Sequence, residues 1–547
     1  MNKNIKKFSR IILELIPLCI VVLGYLLGRI YFIQSDDYEM NYIAGGGLHG
    51  KPDEHLIFIK SIYGYITKNL YSVFHNVNWF GIGYLFVLVL CTYLILHVLK
   101  KQTKFIYAWF IAIAIEIIVL CWLTFTVIAY VCVLTAFLLL SQITGETNKK
   151  HKIIYGVIIA LMFVCSWIFR QNAFVSGVIL LMPLGWFMLK KSHKKYIFMI
   201  CIIVLLGITF VEGVESFTYN DDMWKEYKEF NVCRSQMVDY PIATYDENKD
   251  MYAKLDLSKN DYECLTNWIF ADKDVYSVEV LNSISSQMKI KEKYEINPVN
   301  IFKGMVAIKE CWIFLAIATI LIVLSKKNRK YQIVQGLFMF MVLGILFVIG
   351  RVITRVYVFP FVMGIVAIGY MKLKDISCTS WKKRKIGLIL IAGGVIATLG
   401  LYLNSLNKYT NSIKQREEIY KPERQYIAYN KKQFFTVSRL VNIMPYKDIS
   451  KTNEKEKMDN ILSTGDWQIY NNTYWKKAQK YKFKYKNRLL IDIVDNNFRY
   501  LAYKNDGEKR LELIHNYLEE HTGKTIGVRV IKEFENTGDK LYEFYYE

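Results

Sequence analysis

Ser35-Asp36-Asp37-Tyr38-Glu39 puts three carboxylates within five residues, directly after a long apolar block. A carboxylate at such a place can take a proton from a hydroxyl as that hydroxyl attacks a substrate. Beside low-dielectric protein its pKa rises toward neutrality, which suits a general base. Asp36 and Asp37 are therefore the candidate catalytic pair, with Glu39 beside them. The same pattern also fits a solvated helix end. Arg170 lies at the junction of two apolar blocks, in Arg170-Gln171-Asn172, and Arg351 and Arg355 lie in Gly350-Arg-Val-Ile-Thr-Arg-Val-Tyr-Val-Phe-Pro360. Arginine holds phosphate through a planar fork of donors. These three are candidate binders of a donor phosphate at the membrane surface; snorkelling at the interface is the alternative. Gly45-Gly46-Gly47-Leu48-His49-Gly50 is followed by Asp53, Glu54 and His55. His49 and His55 with Asp53 have no spacing specific to a metal. The glycine run lacks the Lys-Ser/Thr of a nucleotide loop. The expected cofactor is none, with a divalent metal as the alternative.

The elements that must position these residues are apolar blocks. The chain has 547 residues, 53% of them hydrophobic. The apolar residues come in runs of about 20, enough to cross a bilayer as a helix. Runs this long are not barrel strands. The expected spans are 11–33, 79–98, 105–121, 125–143, 153–169, 173–189, 196–212, 304–325, 331–350, 352–371 and 386–404, about eleven helices. The polar stretch at Trp122-Leu-Thr-Phe-Thr126 divides the third from the fourth. The first block is long for a signal peptide and lacks a small-x-small cleavage site, so it reads as a retained anchor.

The formal net charge is +22. Much of the Lys and Arg sits in short clusters between blocks, at 97–104, 144–152, 190–195, 326–330 and 372–385. Alternating the sides puts every cluster in the cytoplasm, as the positive-inside rule requires. The N-terminus is then cytoplasmic. The loops 34–78 and 213–303 and the tail 405–547 lie outside. Basic charge arranged this way argues for a plasma-membrane protein in contact with the bilayer, not for a nucleic-acid partner. Arg170, Arg351 and Arg355 fall on the outer side, where that rule disfavours them.

The outer segments read as folded. Residues 213–303 carry Phe217, Trp224, Tyr227, Phe230, Tyr262, Trp268 and Phe270 at helical spacing. In the tail, 489–494 and 525–531 read as strands, 511–521 as a helix and 539–546 as a strand, giving a small α/β domain. The chain thus divides into a membrane domain, 1–404, and an extracytoplasmic domain, 405–547. Of ten cysteines, Cys233 and Cys264 alone fall in a water-exposed segment, where they either pair or stay free. Glu14 and Glu116 lie within apolar blocks, where buried charge is expensive and a transport role is one reading. Arg234 and Asp239 fit either a loop contact for an acceptor or a structural ion pair.

An acidic pair in the first outer loop, about eleven spans and a soluble outer tail resemble the GT-C superfamily of membrane glycosyltransferases. The chain also resembles a group of multi-span proteins of Gram-positive bacteria with GT-C-like cores. That likeness rests on Arg234, Asp239, Tyr240 and Pro241, on Asn260-Asp-Tyr262 and Asn267-Trp268, on Gly350, Arg351 and Arg355, and on Gly465-Asp-Trp467. The resemblance implies a polyprenyl-phosphate-linked sugar as donor, a cell-envelope glycan or polymer as acceptor, and an acidic residue of the first loop as base. By position that base is Asp36 or Asp37. A flippase for lipid-linked glycans and an envelope glycan-binding protein remain the alternatives.

Overall fold

A computed structural model describes residues 3–48, 50–189, 194–240, 242–287, 297–325, 327–373, 381–440, 443–444, 448–451, 458–505 and 507–547. His49, Pro241 and parts of the basic turns 190–195 and 372–385 lie outside the described residues, as do the side chains of Asp239 and of residues 381–392.

Among the described residues, nine helices form the first part of the chain: α1 (Lys3–Leu26), α2 (Ser35–Gly45), α3 (Ser61–Val73), α4 (Trp79–Leu99), α5 (Phe105–Cys121), α6 (Phe125–Gly145), α7 (Lys149–Phe169), α8 (Gln171–Leu189) and α9 (Lys194–Thr218). The hydrophilic segment that follows is helical, as expected, with α10 (Asp222–Asp239), α11 (Lys249–Lys254), α12 (Lys259–Thr266) and α13 (Val278–Gln287). The chain then re-enters the bundle through α14 (Pro298–Ala307), α15 (Lys309–Val323), α16 (Arg329–Val348), α17 (Thr354–Leu373) and α18 (Trp381–Ile419). The tail contains α19 (Lys421–Tyr429), α20 (Asn472–Lys480), α21 (Leu489–Asp495) and α22 (Gly507–Thr522).

Among the described residues, seven helices are long and apolar enough to cross a membrane, α4, α6, α7, α8, α9, α16 and α17, and an eighth is reached if α14 and α15 count as one bent span. The chain is thus a polytopic helical membrane protein. The division of residues 105–143 falls where Thr124 caps α6, its side chain accepting from the Val127 amide. Helix α6 stands at the centre, 94% of its most apolar stretch being buried among its neighbours. Where a single straight span was expected at 304–325, α14 and α15 meet at 91°. The first block also differs. Its helix stops at Leu26, because Gly28 adopts φ +59° and the next residues pair with the tail. Ile449 donates its amide to the Ile30 carbonyl at 3.0 Å, and Tyr31 bridges Asp448. Long-range backbone pairing has overridden an apolar run.

The tail folds around a five-stranded sheet in the order β2-β1-β3-β5-β4. Its strands are β1 (Phe435–Val437), β2 (Ile461–Ser463), β3 (Arg499–Ala502), β4 (Ile526–Phe534) and β5 (Asp539–Tyr546). Strand β1 is parallel to β2 and β3, while β5 is antiparallel to β3 and β4. Residues 489–494, expected as a strand, are helical. The reason is local to the helix start: Asp272 of the outer segment accepts the Leu490 amide at 2.8 Å, and the Ala271 carbonyl accepts that of Leu489. These contacts satisfy amides that a helix N-terminus leaves unpaired.

The hydrophilic segment 213–303 and the tail share one apolar core, in which Trp224, Tyr227, Phe230 and Phe270 pack with Leu462, Tyr470 and Tyr500. Gly465-Asp-Trp467 is their seam. A Cβ on Gly465 would stand 2.2 Å from the Trp268 carbonyl oxygen, so only glycine permits this approach. Tyr227 donates to the Trp467 carbonyl at 2.6 Å. Cys233 and Cys264 are both free, their thiols directed at Asn282 and at the Leu513 carbonyl.

Candidate active site

Helix α2 carries the first-loop acids. Its opening turn holds Asp36 and Asp37, where negative charge complements the helix dipole. It stops at Gly46, whose φ of +77° is left-handed, with the Gly46 and Gly47 amides bonded back to Ile43 and Tyr42. A Cβ at Gly46 would sit 2.5 Å from the Lys51 backbone. The glycine run is therefore a helix stop and a tight turn.

The two aspartates occupy different environments. Asp37 is fully buried. Its Oδ1 accepts from the Tyr84 hydroxyl at 2.8 Å and from the Phe125 amide at 2.9 Å. Its Oδ2 is buried without a partner among the described residues. Burial pushes its pKa up to about 8, the two hydrogen bonds pull it down, Asp36 pushes it up and Arg355 pulls it down. At neutral pH Asp37 is thus largely protonated and serves to hold α2 against the start of α6. Asp36, in the same turn, is only half-buried.

Arg170 ends α7 and is packed under aromatic rings, its guanidinium carbon 5.2 Å from the centre of Phe125 and 5.8 Å from that of Phe58. Cation–π contact of this kind holds a planar guanidinium in place. Its pKa is lowered by burial, supported by Asp36, opposed by Arg351 and Arg355, and supported by Asp37. Arginine still keeps its proton at any working pH. Asp36, Asp37, Arg170, Arg351 and Arg355 thus share one electrostatic neighbourhood, although they come from α2, the α7–α8 junction, the α16–α17 turn and the first turn of α17. Arg351 is positioned by Tyr240, just after α10, whose ring centre lies 4.8 Å from the guanidinium carbon and whose hydroxyl accepts from Nε at 3.4 Å.

The remaining sequence candidates lie elsewhere. Glu39 is buried and accepts from Gln468 of the tail at 2.9 Å, so it docks α2 onto the tail domain. His55 has both ring nitrogens facing acceptors, Asp53 at 2.5 Å and the Thr218 carbonyl at 3.2 Å, and stacks on Trp224. Asp53 also accepts from Asn472 at 2.9 Å and from Lys476 at 3.0 Å. Ligating atoms of Asp53, Glu54 and His55 come within 4.8 Å of one another, as do those of Asp261, Glu520 and His521. Glu54 meanwhile pairs with Lys68 at 2.5 Å, and Asp261 caps α12 through Ser258. Both groups are therefore already occupied by protein partners. Arg234 is buried against Asn231, with Trp268 at 6.0 Å, and its charge reaches Asp466 in the tail. Glu14 pairs with Lys100 at 3.0 Å, while Glu116 is buried without a hydrogen-bond partner among the described residues.

Sequence reasoning missed Tyr84, Phe58 and Gln468, which fix Asp37, Arg170 and Glu39 from distant parts of the chain. Tyr240 was visible only as a residue beside Arg234. No protein-family model and no curated protein matches the chain.

Proposed function

We propose that the chain is a GT-C-type membrane glycosyltransferase that moves a sugar from a polyprenyl-phosphate donor to a cell-envelope glycan or polymer at the outer face of the plasma membrane. The observation that supports this reading is the shared neighbourhood of Asp36, Asp37, Arg170, Arg351 and Arg355 at one end of the bundle. A carboxylate and two further guanidiniums that all act electrostatically on Arg170 suit transfer from a lipid-phosphate donor.

In this mechanism Asp36 takes the proton of an acceptor hydroxyl, and the oxygen attacks the anomeric carbon. The bond from that carbon to the phosphate oxygen breaks, and the phosphate leaves with the electron pair. Arg170, Arg351 and Arg355 stabilise the charge that develops on it. Asp37 acts as a positioning residue, because its buried carboxyl is largely protonated and already anchored. The protein's own residues carry every step, so no cofactor is invoked.

We further propose the full set of eleven spans. To the seven clear spans this adds the bent pair α14–α15, the shorter apolar helices α1 and α5, and α18. Helix α18 has 39 residues. At 1.5 Å per residue it is about 58 Å long, enough to cross the bilayer and carry the chain beyond it. In this arrangement the basic turns around Lys100, Lys101 and Lys104 and around Lys149 and Lys150 face the cytoplasm. The N-terminus is cytoplasmic and residues 405–547 are outside. The test is transfer of labelled sugar from a polyprenyl-phosphate donor by the purified chain. Loss in Asp36→Asn with the fold retained supports the reading; equal transfer refutes it.

A further inference from the structure

Residues 476–488, Lys-Lys-Ala-Gln-Lys-Tyr-Lys-Phe-Lys-Tyr-Lys-Asn-Arg, contain no acidic residue. From Lys480 onward lysines alternate with rings. The fold turns that alternation into two faces. Phe483 is buried and Tyr481 and Tyr485 are half-buried, whereas Lys480, Lys482, Lys484 and Lys486 are all exposed. Phe483 packs on Phe434 and Phe498, with ring centres 4.9 and 5.0 Å away, and Tyr481 packs on Phe434 at 5.0 Å. Lys431 and Lys432, just before Phe434 in the chain, are also exposed. Lys480 pairs with Asp459 and Lys484 with Asp495. Lys482 and Lys486 have no ion pair among the described residues.

We propose that this face binds a linear polyanion bearing phosphate-like charges. Four exposed lysines within seven residues, only two of them in ion pairs, leave a local excess of positive charge. Such an excess attracts a polyanion by releasing its counterions. A membrane surface is the weaker fit. Peripheral membrane segments combine cations with apolar side chains that insert, and here the apolar ring between the lysines, Phe483, is committed to the core. The binding itself does not depend on the proposed transfer reaction. That reading enters only in making the polymer an acceptor.

The probe is long-chain inorganic polyphosphate, added to the full-length protein in phosphatidylcholine nanodiscs. Affinity is measured across a series of salt concentrations. Substituting Lys480→Gln, Lys482→Gln, Lys484→Gln and Lys486→Gln together is expected to weaken binding at least tenfold at low salt and to flatten the log–log salt slope by about 3. Because two of these lysines are in ion pairs, a second variant, Lys482→Gln with Lys486→Gln, separates binding from folding and is expected to flatten the slope by about 1.5. Polyphosphate should also slow acetylation of Lys482 and Lys486 several-fold relative to exposed Lys254 and Lys414. Salt slopes unchanged in both variants overturn the proposal. So does protection of Lys482 and Lys486 by phosphatidylglycerol nanodiscs without polymer, since the bilayer surface would then be the occupant. Absence of sugar transfer by the wild-type chain, with polyphosphate binding intact, would refute the enzymatic reading alone.

Discussion

Substituting Asp37→Asn separates the roles of the two first-loop aspartates. Asp37 has its pKa raised from 3.8 to about 8, chiefly by burial. In the folded chain it therefore keeps its proton up to about pH 8, while in the unfolded chain it loses it near pH 4. Between those values the folded state binds about one more proton than the unfolded state. The contribution of Asp37 to stability is complete below pH 4 and is lost as pH rises toward 8. The slope is about 1.4 kcal/mol per pH unit, or about 4 kcal/mol between pH 5 and pH 8. Asparagine keeps an oxygen for the Tyr84 hydroxyl and the Phe125 amide but does not titrate. Thermal unfolding in detergent, followed from pH 5 to pH 8, should show the wild type losing stability more steeply than Asp37→Asn. The stability of the wild type relative to the variant should fall by about 4 kcal/mol from pH 5 to pH 8. Parallel profiles would refute the reasoning, because Asp37 would then titrate alike folded and unfolded and would again be a candidate base.

Arg170→Ala removes the guanidinium held against Phe125 and Phe58 and should lower transfer at least 100-fold. Arg170→Lys should fail comparably because lysine has no planar fork, as steady-state kinetics would show. Gly465→Ala drives a Cβ into the Trp268 carbonyl. It should cost about 1–3 kcal/mol, read as a lower melting temperature and faster proteolysis of the outer domain. Tyr227→Phe leaves the Trp467 carbonyl without its 2.6 Å partner and should cost about 1–2 kcal/mol in the same melting assay, with transfer reduced no more than folding requires.

The helical blocks were legible because an apolar run has no competing use in water. The polar break at 122–126 even located the join between α5 and α6. Short tail elements were not. Strands β1 and β2 have three residues each, too few for any period to show. Residues 489–494 are six apolar or acidic positions that fit a buried strand or a helix equally, and Asp272, more than 200 residues earlier, decides for the helix. The charged residues of the candidate site were legible as types, since Asp and Arg beside apolar blocks are costly. Their division of labour was not. Burial of Asp37 depends on Tyr84 and the Phe125 amide, and the sequence gives no sign that either lies against α2.

The central claim is that Asp36 is the base, and it is tested most directly by single-turnover transfer from a polyprenyl-phosphate sugar by purified wild type, Asp36→Asn and Asp37→Asn at neutral pH. The account predicts that Asp36→Asn abolishes transfer while its melting temperature holds, and that Asp37→Asn retains most of it. Transfer surviving in Asp36→Asn and lost in a folded Asp37→Asn would contradict the account.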